Sequence, residues 1–281
     1  MRPYSRVYAT VNLDAVASNM RSMRDNLPAS TLIMGSVKAD GYGHGSVPVA
    51  KTIEPYVFGY AVATIDEGII LRRHGINKTI LILGVTHESR YEDLLRYDIR
   101  TAMFQYEKAK KLSDLALKQG KKAVVHLALD TGMSRIGMKA DREHAKEAAA
   151  IAALEGIEVE GLFTHFARAD ETDKSAYEEQ YRRYKEFLGY LKELGVKIPI
   201  RHCSNSAGIV ESLESNHMDM VRAGIAIYGM YPSDEVDHNS VKLTPAMEIK
   251  SCITYIKEIE AGTAVSYGGT FVADHTMKVE T

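Results

Sequence analysis

The sequence predicts an α/β protein, a (β/α)8 barrel of the TIM type followed by an incomplete C-terminal β domain. Three observations point there. Eight short, β-branched apolar runs alternate with longer amphipathic stretches between residues 31 and 224. Unusual polar residues fall repeatedly at the C-terminal ends of those runs, where a parallel barrel places its functional groups. After residue 241 the texture changes to alternating apolar and polar residues with Ala-Gly and Gly-Gly turns, the pattern of antiparallel strands.

Taken in order, RVYATVN (6–12) reads as an extra strand expected to join the later β segment. The expected division is therefore residues 1–11 with the β domain, a barrel over 12–240, and the start of the β domain over 241–281. NLDAVASNMRSMRDN (12–26) reads as a helix ahead of the first barrel strand. The eight runs are TLIMGSVK (31–38), VFGYAVA (57–63), TILILGV (79–85), IRTAM (99–103), KAVVHLALD (122–130), IEVEGLFTH (157–165), KIPIRHC (197–203) and DMVRAG (219–224). Near-continuous apolar runs of this length are the mark of strands buried on both faces. Between the sixth and seventh, Tyr177, Tyr181, Tyr184, Leu188 and Leu191 repeat at helical spacing beside a charged face, a packing stripe rather than a cofactor motif. A doubly wound open sheet alternates strand and helix in the same way, and periodicity alone does not separate the two. The strand-end polar residues favour the barrel.

Composition sets bounds on function. The 281 residues are 45% hydrophobic and 26% charged, enough for a sizeable core in one large or two smaller domains. A net charge of -2 gives no electrostatic footprint for nucleic acid or an anionic membrane. Cys203 and Cys252 form no C-x-x-C pair, which argues against a disulfide framework or structural zinc and for a reducing, cytoplasmic setting. No apolar stretch has signal-peptide or membrane-spanning character. His44, His126, His165 and His202 lack H-x-H or H-E-x-x-H spacing, so no metal site is expected.

Lys38 is the sharpest candidate. It closes a buried run and precedes the glycine-rich ADGYGHG, read as a flexible turn. Burial disfavours a charged amine, and a neutral lysine is nucleophilic enough to form a Schiff base with a carbonyl. A strand-end lysine can equally snorkel to solvent. Asp130 and Arg135 follow the fifth run, His165 ends the sixth, His202 with Ser204, Asn205 and Ser206 ends the seventh, and Arg222 ends the eighth. Barrels commonly bind phosphate at the seventh and eighth strand ends. There, SNSAG (204–208) offers hydroxyls at a helix start, and AGIAIYG (223–229) offers small residues for close backbone approach. The same Ser-Asn-Ser also suits plain helix capping. A reactive lysine facing a phosphate cradle would suit pyridoxal 5'-phosphate.

Six segments, in order, resemble the signature segments of alanine racemases: VKADGYGHG (37–45), DTGMSRIG (130–137), THFARADE (164–171), HCSNSAG (202–208), MVRAGIAIYG (220–229) and VSYGGTF (265–271). The resemblance implies a pyridoxal-phosphate barrel with a β-rich domain, working as a homodimer on L- and D-alanine and supplying D-alanine for cell-wall peptidoglycan. It implies that Lys38 forms the internal aldimine and serves as base on one face of the substrate, with Tyr267 as the opposing base supplied by the partner subunit. Tyr42, Ser206, Gly224 and Ile225 then match phosphate-holding positions, with Asn205 beside them. His165 matches a residue near the pyridine ring, Arg222 the partner of the ring nitrogen, and Arg135 a contact to the cofactor hydroxyl and substrate carboxylate.

The chemistry explains these residue types. Racemisation removes a proton from one face and returns one to the other, so two bases must flank the α-carbon, and a tyrosine in that role needs neighbours that favour its phenolate. Arginine stays protonated, so Arg222 would leave the ring nitrogen unprotonated and restrain side reactions such as transamination.

Two departures stand out. Many members of the family carry a lysine, often carbamylated, two residues before Asp-Thr-Gly; here that position is Ala128, so Arg135 would be oriented by Asp130 or an anion instead. The chain also stops at Thr281 in mid-pattern, and a C-terminally truncated β domain is expected. A broader-specificity amino-acid racemase, a pyridoxal-phosphate decarboxylase and a cofactor-binding module without full turnover remain open; the basic Arg222 counts against the decarboxylase.

Overall fold

The computed structural model describes residues 6–281. Their contacts define two compact units, one over Asn12–Ala246 and one combining the N-terminal residues through Val11 with Met247–Thr281.

In the larger unit, α1 (Leu13–Asp25) starts where the Asn12 side chain accepts hydrogen bonds from the Asp14 and Ala15 amides. Eight parallel strands then alternate with helices. They are β2 (Leu32–Ser36), β3 (Gly59–Val62), β4 (Thr79–Ile82), β5 (Arg100–Met103), β6 (Ala123–Asp130), β8 (Ile157–Phe163), β9 (Ile200–His202) and β10 (Met220–Ala223). All eight fall inside the apolar runs read from sequence. Pairing proceeds in chain order from β2 to β10 and closes when β10 pairs with β2, Arg222 opposite Met34. That closure decides for a barrel against an open sheet. A two-residue strand, β7 (Met138–Lys139), pairs parallel with the end of β6 at Leu129 and Asp130 and is invisible in the sequence, being too short to show a pattern.

Helices α2 (Lys38–Tyr42), α3 (Ser46–Ile53), α4 (Ile65–Arg73), α5 (Tyr91–Tyr97), α6 (Tyr106–Lys118), α7 (Arg142–Ala152), α8 (Ser175–Glu193) and α9 (Ser206–Val210) connect the strands. Outward strand residues such as Val125, Leu127 and Leu162 pack against helix residues including Leu112, Ile151 and Tyr184 in the main core. Inward positions form two small apolar clusters, Met34–Ala61–Leu81–Met220 and Ala102–Ala128–Phe163. Between them runs a polar strip. Its key member, His126, fits because the β6–β8 register shifts between Val125 and His126 and because position 161 is glycine. A Cβ there would lie 2.4 Å from the His126 ring.

The larger unit reaches six residues past the expected boundary at 240, to Ala246. Buried Asn19 donates to the carbonyls of Ile227 and Thr244 and accepts from the Thr244 amide, so residues before Pro245 are pinned to the barrel.

In the smaller unit β1 (Val7–Val11) pairs antiparallel with β11 (Met247–Ser251), β12 (Ile256–Ile259) with β15 (Met277–Glu280), and β13 (Ala264–Val265) with β14 (Phe271–Val272). Ile249, Ile253, Tyr255, Ile256, Phe271 and Val272 are exposed there.

Candidate active site

A cavity of about 280 Å³ opens at the C-terminal ends of the barrel strands. Lys38 and Tyr42 reach it from the segment after β2, and Arg135 from the loop after β6. His165 follows β8, Asn205 and Ser206 follow β9, Arg222 lies within β10, and Gly224 and Ile225 come just after it; all line the same space. Tyr267 belongs to the smaller unit and is 100% exposed, on a turn entered through Ser266 at φ 60.

Lys38 sits where the chain turns in an unusual way. Ala39, Asp40 and Gly41 have φ of 50, 50 and 62, and Tyr42 follows at φ 52. This is a left-handed turn built largely from residues that avoid it, and it replaces the flexible loop expected from the glycines. Its hydrogen bonds explain its order: Gly43 donates to the Ala39 carbonyl at 3.0 Å and Gly45 to the Asp40 carbonyl at 2.8 Å. The Asp40 carboxylate accepts from the Ser46 amide at 2.7 Å and its hydroxyl at 3.0 Å. The Lys38 amine lies 5.7 Å from the centre of the Tyr42 ring.

Tyr42, Ser206 and Gly224 converge. A Cβ on Gly224 would stand 3.3 Å from the Tyr42 hydroxyl and 3.6 Å from Ser206 Oγ, so glycine keeps this corner open. Ser206 Oγ accepts from the Gly224 amide at 2.9 Å. The amides of Ser206 and Ile225 have no acceptor among the described residues. Two unpaired backbone N–H groups with two hydroxyls make a cradle for an anion. Asn205 caps α9 by accepting from the Gly208 amide at 3.2 Å, while its amide donates to the Phe166 carbonyl.

Arg222, 4% exposed, anchors a polar chain through the barrel. Its Nη1 donates to His202 Nδ1 at 2.9 Å; its Nη2 donates to the carbonyls of Thr164 at 2.6 Å and Cys203 at 3.0 Å, and lies 3.3 Å from His165 Nδ1. The remaining donor, Nε–H, has no acceptor among the described residues, on a side chain that lines the cavity. His202 Nε2 meets His126 Nδ1 at 2.8 Å, His126 Nε2 meets Glu160 at 2.9 Å, and Glu160 pairs with Arg100 at 3.5 Å, at the far end of the barrel. A guanidinium only donates, so His202 Nδ1 is an acceptor and its proton sits on Nε2. By the same logic His126 carries its proton on Nε2, directed at Glu160.

Burial pulls Arg222 down to about 10, which leaves it protonated at neutral pH. Burial, with the charges of Arg222, Arg135 and Lys38, pushes His165 down to about 3. His202 lies well below the ordinary histidine value through burial and the Arg222 charge, and burial lowers His126 despite Glu160. Burial would raise Glu160, but the His126 hydrogen bond and the charge and hydrogen bond of Arg100 outweigh it and hold the carboxylate low. All three histidines are therefore neutral beside a fixed cation.

Arg135 is exposed at the rim and makes no hydrogen bond or ion pair among the described residues. Asp130 does not orient it: that carboxylate accepts from the Gly132 and Ser134 amides and shapes the loop instead. Ala128 fills an apolar cluster with Ala102 and Phe163, leaving no polar contact there to steer the arginine. His126, Glu160 and Arg100 were missed as part of the site from sequence, because nothing in an apolar run says which polar residue points into a barrel.

A family model described as "Alanine racemase, N-terminal domain" matches residues 11–232. The alanine racemase of Desulforamulus reducens is 43% identical over 94% of this chain and 72% of its own length. That of Clostridium perfringens strain SM101 is 42% identical over 98% of this chain and 71% of its own. The solved alanine racemase of Clostridium difficile 630 aligns with a TM-score of 0.91 at 40% identity, covering 99% of this chain and 73% of that one. The Bacillus anthracis alanine racemase with bound L-Ala-P gives 0.88 at 32% identity, covering 100% and 72%. The chain belongs to the alanine racemase family of isomerases.

Proposed function

We propose that this chain racemises L- and D-alanine with pyridoxal 5'-phosphate, using Lys38 and, from across a homodimer, Tyr267 of the partner subunit. The observation that carries it is one cavity joining Lys38, an anion cradle at Gly224 and a donor on Arg222 that has no acceptor among the described residues. The residues present fit the cofactor. Tyr42, Ser206 and the Ser206 and Ile225 amides suit its phosphate, the Arg222 Nε–H its ring nitrogen, and Lys38 its carbonyl carbon. Bound there, the cofactor would draw electron density from the substrate α-carbon and make its proton removable.

The protein's own groups do the rest. The Lys38 amine exchanges the α-proton on one face, and Tyr267 of the partner subunit does so on the other. Arg222, protonated at neutral pH, would hold the ring nitrogen by donating to it without giving up its proton, moderating the electron sink and disfavouring transamination. Neutral His165 in the cavity lining would stand beside the ring without adding charge, and Arg135 at the rim would meet the substrate carboxylate. Full exposure of the Tyr267 side chain, together with the exposed apolar residues of its unit, supports its use by a second copy. The larger unit is the cofactor-binding part. We assign the enzyme to the cytoplasm and its D-alanine to peptidoglycan; among the described residues no helix is long and apolar enough to cross a membrane.

Mixing Lys38→Ala with Tyr267→Phe tests the shared site. Each variant alone should be inactive, and subunit exchange should restore about a quarter of wild-type activity, because each mixed dimer keeps one complete site. No recovery after verified exchange would place both bases in one chain.

A further inference from the structure

We infer that Glu67, on α4, is a positioning residue for Lys38: it clamps the amide of Ala39 and so holds the left-handed turn that aims the lysine. Glu67 Oε1 accepts from the Ala39 amide at 2.8 Å, while its Oε2 accepts from the Ala63 amide at 2.7 Å and the Thr64 amide at 3.3 Å. On the other side of Lys38, the Val37 amide donates to the Ala61 carbonyl at 3.0 Å. Both backbone neighbours of Lys38 are thereby tied to the β3–α4 junction, one by the strand and one by a carboxylate.

The clamp has a physical purpose. Ala39 and Asp40 stand at φ 50 and Tyr42 at φ 52, and non-glycine residues persist in that region only where surroundings over-determine them. Released, Ala39 would relax toward ordinary backbone angles and rotate the Lys38 side chain off its line. Glu67 also completes the capping box of α4, in which Thr64 Oγ1 accepts from the Glu67 amide. Its two oxygens thus do separable jobs, one for the helix and one for the lysine. Tyr42 follows in the same turn, so the clamp also bears on the hydroxyl beside Gly224.

The proposal rests on Lys38 being the lysine that takes the cofactor, and the test separates the two. The apo-protein is mixed with pyridoxal phosphate, trapped with borohydride at intervals, and the modified lysine located by peptide mass. Glu67→Ala should slow capture at Lys38 by about tenfold, the loss of one charge-assisted hydrogen bond. Glu67→Gln, with a single acceptor oxygen, should fall between it and wild type. Thr64→Ala weakens only the helix cap and should capture at the wild-type rate. Adding Ala39→Gly to Glu67→Ala should recover most of the rate, since glycine adopts the left-handed region freely. In the unmutated protein the Ala39 amide should be protected from hydrogen exchange, a check that needs no variant. The proposal falls if Glu67→Ala captures as fast as wild type, if Thr64→Ala slows capture equally, if glycine at position 39 recovers nothing, or if the Ala39 amide exchanges freely. Wild-type labelling at a lysine other than Lys38 overturns the assignment of Lys38 itself.

Discussion

Arg222 donates to Nδ1 of His202 across 2.9 Å, and that one contact sets the protonation of every ring behind it. Because the guanidinium cannot accept, the proton of His202 is forced onto Nε2, that of His126 follows, and Glu160 closes the chain as acceptor. The cation at the cavity thus has its counter-charge at the opposite end of the barrel. Nitrogen NMR of the histidines should show both as Nε2–H tautomers at neutral pH; Nδ1–H on His202 would break the chain at its first link.

Glu160→Ala removes the terminal acceptor. It leaves the buried His126 Nε2–H without its acceptor, while Arg100 keeps its ion pair with Asp98 at 3.0 Å, and should cost about 1–3 kcal/mol in urea unfolding at neutral pH. Pyridoxal phosphate binding should weaken modestly with it, since Arg222 loses the support behind His202 but keeps its bonds to the Thr164 and Cys203 carbonyls. A variant as stable as wild type would show that the chain carries no structural weight.

The buried histidines make stability fall in acid. In the unfolded chain they take up protons below about 6.5, whereas in the native barrel His126, His165 and His202 resist protonation because burial lowers each of them. The unfolded state therefore binds more protons, and stability rises with pH across that window. For His165 the window runs from 6.5 down to about 3. Each histidine that stays neutral to about pH 5 should contribute a loss of about 2 kcal/mol between pH 6.5 and 5. Unfolding midpoints measured across that range should drop steadily, and His165→Asn should flatten the slope. A midpoint flat down to pH 5 would mean the native histidines protonate normally.

Gly224→Ala should weaken pyridoxal phosphate binding by about tenfold with little change in folding. The added methyl would press against the Tyr42 hydroxyl at 3.3 Å, in the corner assigned to the phosphate. Titration followed by cofactor absorbance reads it directly, and an unchanged Kd would move the phosphate elsewhere.

The barrel was legible because its signals are additive. Each apolar run is long enough to mark a buried strand, and Lys38, His165 and Arg222 fall at or just beyond strand ends, where a barrel displays them. What stayed hidden depends on the third dimension. In IEVEGLF, Glu158 and Glu160 look alike; only closure and the Gly161 gap turn Glu160 toward His126. The left-handed turn at 39–42 was hidden for a different reason, since alanine, aspartate and tyrosine announce no such backbone and the glycines around them suggest looseness. The role of Ala128 likewise emerged only once Ala102 and Phe163 were seen to close over it.

The most direct measurement follows D-alanine formed from L-alanine by chiral chromatography, with pyridoxal phosphate added, for wild type and Lys38→Ala. Wild type should bring the two enantiomers to equal amounts, and the variant should be slower by at least about a thousandfold. Racemisation by Lys38→Ala at the wild-type rate would contradict the assignment at its root.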